Sequence, residues 1–391
     1  MTSSSSRAVG GTVVDRGLEG IVVGSTELCR VDGLAGRLTY RGYDIADLAA
    51  NATFEEVCYL LLFGHLPSAY ALADLGVRLA ANRALPKPIL AWLGAMPKDA
   101  WPMDVLRTAI SGLAMFAPHR EDDGTHPSNP RAAIHLIAKT GTIVAAWDRI
   151  RRGLHPIDPL PELSSAANFL YMRTGKMPAP EAERALDTYF IVLADHSFNA
   201  STFAARVTAS TRADIFAGAT SAVATLEGDL HGGAPGIVMR MLLEIGSPAQ
   251  AGSYVRALLA KGERIMGMGH REYRVRDPRT AVLEGMARAL GEISEGRWYA
   301  IARALEDAAN AALEEREPGR AIHANVEFYT APTLYSLGIP ADEFTCLFAC
   351  ARMVGWTAHI LEQLADNRLI RPQAAYTGPE VRAFVPIGKR G

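Results

Sequence analysis

The sequence predicts an almost all-α, two-domain fold with one small β-hairpin near the N-terminus. Three observations carry this. Apolar residues recur at helical spacing along most of the chain, helix start and stop residues bracket those stretches, and strand-like runs are confined to the N-terminal part. Ile21, Val22 and Val23 are followed by Leu38, Thr39 and Tyr40, with Asp32, Gly33 and Gly36 between them, which predicts the hairpin. Thr53 and Glu56 form a capping box ahead of Phe54, Val57, Cys58 and Leu61, and Gly64 stands where that helix stops. The same spacing recurs at Leu186, Tyr189, Phe190 and Leu193. It appears again at Ile301, Leu305, Ala308 and Ala312, ahead of Pro318 and Gly319. Both stretches are expected to be amphipathic helices packed on a core, with loops rich in Pro, Gly and charge at 118–130 and 152–161.

A chain of 391 residues that is 49% hydrophobic can bury a large core. Forty Lys and Arg against forty-two Asp and Glu leave a formal charge of −2, which argues against nucleic acid or an anionic membrane as the main partner. No apolar run approaches the ~18 residues that span a bilayer, and the first residues lack the apolar centre of a signal peptide, so a cytoplasmic location is expected. Cys29, Cys58, Cys346 and Cys350 are read as buried thiols rather than a disulfide framework. No two of the ten histidines lie at helical metal-ligand spacing.

Three segments join titratable side chains to glycines or apolar neighbours. In the first, Pro235 suits the opening turn of a helix through Ile237, Met241 and Leu242, which puts His231 just ahead of a helix N-terminus. The helix dipole there disfavours an imidazolium, so His231 reads either as a neutral donor to a developing oxyanion or as a turn histidine. The second packs Arg264, His270, Arg271, Arg274, Arg276 and Arg279 around only two acids, Glu272 and Asp277. It reads as a site for a polyanionic small molecule or as a solvated basic helix end. The third sets Glu327 among apolar and aromatic residues, a setting that raises a carboxyl pKa and suits a general base; the alternative is a structural ion pair. A further polar run, Asp195 to Thr202, follows an apolar helix directly, and Asp195 with His196 is expected to be a buried, mutually satisfied pair.

Taken in order with Gly17 to Gly20, Tyr40 to Ile45, Leu61 to Pro67, Pro102 to Arg107, Arg352 to Trp356 and Arg371-Pro372, these stretches resemble citrate synthase. The resemblance implies an all-α homodimer with a large helical domain, here 1–230 and 341–391, and a small one, 231–340, that closes on substrate. It implies condensation of acetyl-CoA with oxaloacetate and hydrolysis of citryl-CoA by an acyltransferase of the Si type, with no metal or redox cofactor. By the same resemblance His231 bonds the thioester oxygen, Glu327 is the carboxylate base and His270 polarises the oxaloacetate carbonyl. His196, Arg279 and Arg352 bind oxaloacetate, and Arg371 reaches it from the partner subunit. Arg274 contacts a CoA phosphate, Ile265, Met266, Gly267, Met268 and Gly269 surround the adenine, and Arg320 is a further phosphate contact.

Two departures stand out. Glu327 replaces the usual Asp, and Ala234-Pro235-Gly236 replaces a frequent Ala-Asn-Glu. The added methylene moves a carboxylate on the ~1 Å scale at which misplacement costs ~100-fold in rate, so the backbone is expected to retreat in compensation. The alternatives are a 2-methylcitrate synthase that takes propionyl-CoA, a citryl-CoA-cleaving enzyme, and a catalytically idle homologue that keeps the pocket as a sensor. One methylene is discriminated by only ~1–3 kcal/mol, so the sequence leaves the acyl donor open.

Overall fold

The computed structural model describes residues 6–9, 12–18, 20–117, 128–269, 272–273, 275–293, 296–316 and 323–390. The chain divides into two units, Met1–Ser25 with Leu369–Gly391, and Thr26–Arg368. The first contains an antiparallel ribbon of Ser6–Val9 and Thr12–Asp15, with Ser6 opposite Asp15 and Val9 opposite Thr12. This ribbon was not expected, although Gly10-Gly11 between short β-prone runs is a two-residue hairpin signal.

The second unit holds sixteen α-helices among the described residues and one antiparallel sheet, Cys29–Asp32, Arg37–Tyr40 and Tyr43–Asp44 in that order. The predicted hairpin is therefore half right. Leu38 to Tyr40 form a strand, but its partner is Cys29–Asp32, with Asp32 opposite Arg37. Asp32 Oδ1 accepts the Ala35 N–H at 2.9 Å and closes the turn between them. That short connection costs less closure entropy than one from Ile21, Val22 and Val23, which lie exposed with no buried face to gain.

Helix boundaries follow the local signals. Thr53 Oγ1 accepts the Glu56 N–H at 3.3 Å, Glu56 Oε2 accepts the Thr53 N–H at 2.8 Å, and Gly64 ends the helix at φ +88°. Pro235 lies in the first turn of helix Ala234–Ile245. In helix Arg297–Arg316, Ile301 and Leu305 are buried as predicted, whereas Pro318 and Gly319 lie outside the described residues, as do 118–127 of the first predicted loop. Helix Pro180–Leu193 departs from the amphipathic expectation, because every residue from 185 to 193 is buried. Helices Phe54–Phe63, Ser165–Thr174, Pro278–Ile293 and Phe344–Ala365 all pack on it, leaving residues 185 to 193 no solvent face. All four cysteines are free and buried.

Two 22-residue helices, Pro130–Arg151 and Phe344–Ala365, each ~33 Å long, pack against each other in the core. The stretch Ala341–Ala365, with mean hydropathy 1.3, is long and apolar enough to cross a bilayer. That amends the reading that no such run exists. Its burial inside the protein marks it as a core helix. At Gly355 it nearly touches the chain that leaves helix Pro180–Leu193: a Cβ there would lie 2.3 Å from the Ala194 carbonyl oxygen and 2.9 Å from Asp195 Oδ1. Gly355→Ala is expected to cost about 2 kcal/mol in denaturant unfolding, because backbone overpacking outweighs the gain in helix propensity. An unchanged midpoint would mean that this contact yields freely.

Candidate active site

Five stretches distant in sequence converge in the second unit. They are the turn at 194–202, the core helix Phe344–Ala365, the N-terminal ends of helices Ala234–Ile245 and Val326–Ser336, and the residues entering helix Pro278–Ile293. At the centre is Arg352, 1% exposed, a charge placed in mid-helix inside the core. Among the described residues its side chain makes one hydrogen bond, from Nε to the Leu193 carbonyl at 2.6 Å, and no ion pair. Its guanidinium lies 4.8 Å over the Phe348 ring, and burial pulls its pKa below the ordinary arginine value. A buried cation without a counter-ion is costly, so this arrangement suits a ligand that brings the negative charge.

His231 stands just before helix Ala234–Ile245, its ring edge-on to Phe348 at 6.1 Å. Its Nε2 lies 2.7 Å from Ser201 Oγ and 3.4 Å from the Ser201 N–H. Ser201 in turn accepts the Trp356 indole N–H at 3.0 Å and donates to Asn199 Oδ1 at 2.8 Å. Burial, and secondarily the Arg352 charge, push the His231 pKa down to about 4, so the ring is neutral at pH 7.

Glu327 occupies the first turn of helix Val326–Ser336. Burial raises its carboxyl above the usual range, opposed by Arg279, by a backbone N–H and by Arg352. The base candidate and the His231 ring thus both feel the same arginine. Arg279 is buried and bidentate with Asp277, through Nε to Oδ1 at 3.0 Å and Nη2 to Oδ2 at 2.7 Å. Burial disfavours its charge, but Asp277 holds it protonated. His196 is buried, and its Nε2 lies 3.3 Å from the Tyr273 hydroxyl. The expected Asp195–His196 pair is not formed side chain to side chain: Asp195 Oδ2 instead meets His359 Nε2 at 3.1 Å. The turn at 195–197 sends adjacent side chains in different directions, and a helical partner 164 positions away takes the carboxylate.

The stretch from Ile265 to Gly269 is tied to the residues ahead of Glu327. Met268 bridges Ala324, Gly269 N–H donates to the His323 carbonyl at 2.8 Å, and Asn325 binds the Gly267 and Gly269 carbonyls at 2.9 and 3.0 Å. Gly267, at φ +81°, would place a Cβ 2.9 Å from Phe328 and from Val238, so both its conformation and its surroundings demand glycine. Met266 lies beside it, partly buried against the core. Two members of the basic cluster read from the second segment are committed, Arg276 to Glu284 at 2.5 Å and Arg279 to Asp277, and Arg264 is exposed. His270, Arg274 and Arg320 lie outside the described residues. Arg371 belongs to the first unit and is exposed. Among the described residues no group of three or more His, Cys, Asp or Glu could hold a metal ion.

Sequence reasoning did not single out Ser201, Trp356, Tyr273, His359 or Phe348. For three of them a signal exists: 348, 352, 356 and 359 recur at one-turn spacing on the helix that carries Arg352.

A family model described as "Citrate synthase, C-terminal domain" matches residues 17–373. The chain is 45% identical to citrate synthase 2 of Bacillus subtilis, over 96% of this chain and 99% of that protein. It is 42% identical to 2-methylcitrate synthase of Mycobacterium tuberculosis, over 95% and 92%. Among solved structures, citrate synthase from Thermoplasma acidophilum, in ternary complex with carboxymethyl coenzyme A and oxaloacetate, superposes with a TM-score of 0.88 at 31% identity, covering 96% of this chain and 99% of that one. With the model spanning most of its length and relatives above 40% identity almost end to end, the chain belongs to the citrate synthase family.

Proposed function

We propose that the chain condenses acetyl-CoA with oxaloacetate and hydrolyses the resulting citryl-CoA to citrate and CoA, by attack of the Si type. The observation that carries this reading is the buried Arg352, without an ion pair among the described residues, whose charge acts on both the neutral His231 and the carboxylate of Glu327. A dicarboxylate supplies the charge that Arg352 lacks, with Arg279 and His196 completing its cradle. Glu327, made more basic by burial, takes a methyl proton from the thioester, and the neutral His231 ring offers an N–H to the enolate oxygen. The enol carbon then attacks the ketone carbon of oxaloacetate, whose oxygen is polarised by His270. A carbon–carbon bond forms and that oxygen takes up a proton. Water subsequently adds to the thioester carbon and CoA leaves as the thiol.

The reading includes CoA held by Ile265 to Gly269, Arg274 and Arg320, and no metal or redox cofactor. It also includes a homodimer in which Arg371 of one chain completes the other's site, a large domain at 1–230 and 341–391 closing on a small one at 231–340, and a cytoplasmic location. The 42% identity to a 2-methylcitrate synthase favours a second reading with propionyl-CoA as donor. Thiol release from purified protein with oxaloacetate and either acyl-CoA tests both. Acetyl-CoA is expected to give the higher kcat/KM. A clear propionyl preference would transfer the assignment to the second reading, and oxaloacetate binding without thiol release from any short acyl-CoA would make the chain a sensor.

A further inference from the structure

Arg352 shares its compartment with an acid that does not close on it. Asp195 is fully buried, and its charge favours protonation of Arg352 more than that of any other acid, yet no ion pair joins them. Asp195 Oδ1 lies over Gly355 with no hydrogen-bond partner among the described residues. Burial alone would raise the Asp195 carboxyl, but His359 and then Arg352 hold it below the usual range, so it stays ionised. An ionised carboxylate beside an unpaired guanidinium gains by pairing with it, so something must hold the two apart.

The restraint is visible on the same helix as Arg352. His359, fully buried two turns further along, meets Asp195 Oδ2 through Nε2 at 3.1 Å. Its other nitrogen, Nδ1, lies 3.1 Å from Arg206 Nη1. Arginine only donates, so Nδ1 must accept, and Nε2 carries the proton that it gives to Asp195. Arg206 is itself fixed by Glu362 Oε2 at 2.6 Å and Gln363 Oε1 at 3.1 Å, and stacks on Phe198 at 4.5 Å. The chain Glu362–Arg206–His359–Asp195 therefore ends on Asp195 Oδ2, which His359 engages.

We propose that His359 is a positioning residue: by tethering Asp195 it prevents an internal ion pair with Arg352 and keeps that guanidinium open to a carboxylate of the substrate. This rests on the reading of oxaloacetate as substrate.

The test is calorimetric titration of oxaloacetate into the full-length protein, alongside steady-state KM for each substrate. Wild type must bind oxaloacetate; if it does not, the substrate reading itself fails. In His359→Leu the freed carboxylate competes for Arg352, so the oxaloacetate Kd and KM rise about tenfold or more, with the acetyl-CoA KM unchanged. His359→Gln, which keeps a donor and an acceptor, binds nearly as wild type. His359→Leu combined with Asp195→Asn removes the competing charge and recovers most of the lost affinity. Wild-type affinity in the single Leu variant would overturn the proposal. So would a double variant no better than the single one, because that result reduces His359 to packing.

Discussion

Glu327→Gln is expected to lower kcat for thiol release by about 10³-fold while leaving oxaloacetate binding within about twofold of wild type. The substitution keeps the shape of the side chain and removes the only carboxylate on the first turn of helix Val326–Ser336. Burial has already made that carboxyl a stronger base than one in water, so its loss removes more than an average acid–base contribution. A Gln variant that turns over normally would dismiss Glu327 as the base. Glu327→Asp refines the test. The helix and the Ile265 to Gly269 stretch are locked together by the Met268–Ala324 bridge and by Asn325, so neither can shift freely to follow a shorter side chain. A fall of ten- to a hundred-fold is expected, and a rise would show that the extra methylene is a handicap.

Arg352→Met should act oppositely on binding and on folding. Oxaloacetate affinity should drop about 10³-fold, the loss expected when one partner of a buried charge pair is removed. The denaturant midpoint, by contrast, should hold or rise, because the empty protein no longer buries an unpaired cation. The Leu193 carbonyl loses its donor, which offsets part of the gain. A marked loss of stability would mean that Arg352 is a structural residue, and retained affinity would place the dicarboxylate elsewhere.

Much of this was legible in local chemistry. The Thr53–Glu56 box, the Gly64 stop and the Pro235 start each fix a boundary through groups within four residues, and all three appear as read. The hairpin was misread because two candidate strands competed for one partner, and burial, which the pattern at 21–23 could not report, decided between them. At the site, His231, Glu327 and Arg279 announce themselves by unusual neighbours in sequence, whereas Arg352 enters only through the family resemblance. Asp195 reads as a partner of His196, and its actual partner His359 is not legible: their contact spans 164 positions and is created only when the core helix packs against the end of Pro180–Leu193. Likewise the Ser201–Trp356 support of His231 joins residues 155 apart.

The bridge between the glycine loop and the helix that carries Glu327 limits how such an enzyme can diversify. A drift in the loop that suits a bulkier or differently shaped thioester carrier would drag the acid with it, and any adjustment of the acid would reshape the loop. On the proposed function, recognition of the handle and chemistry at the acyl end are therefore inherited as one part, and a laboratory effort to alter either should randomise both segments in the same library.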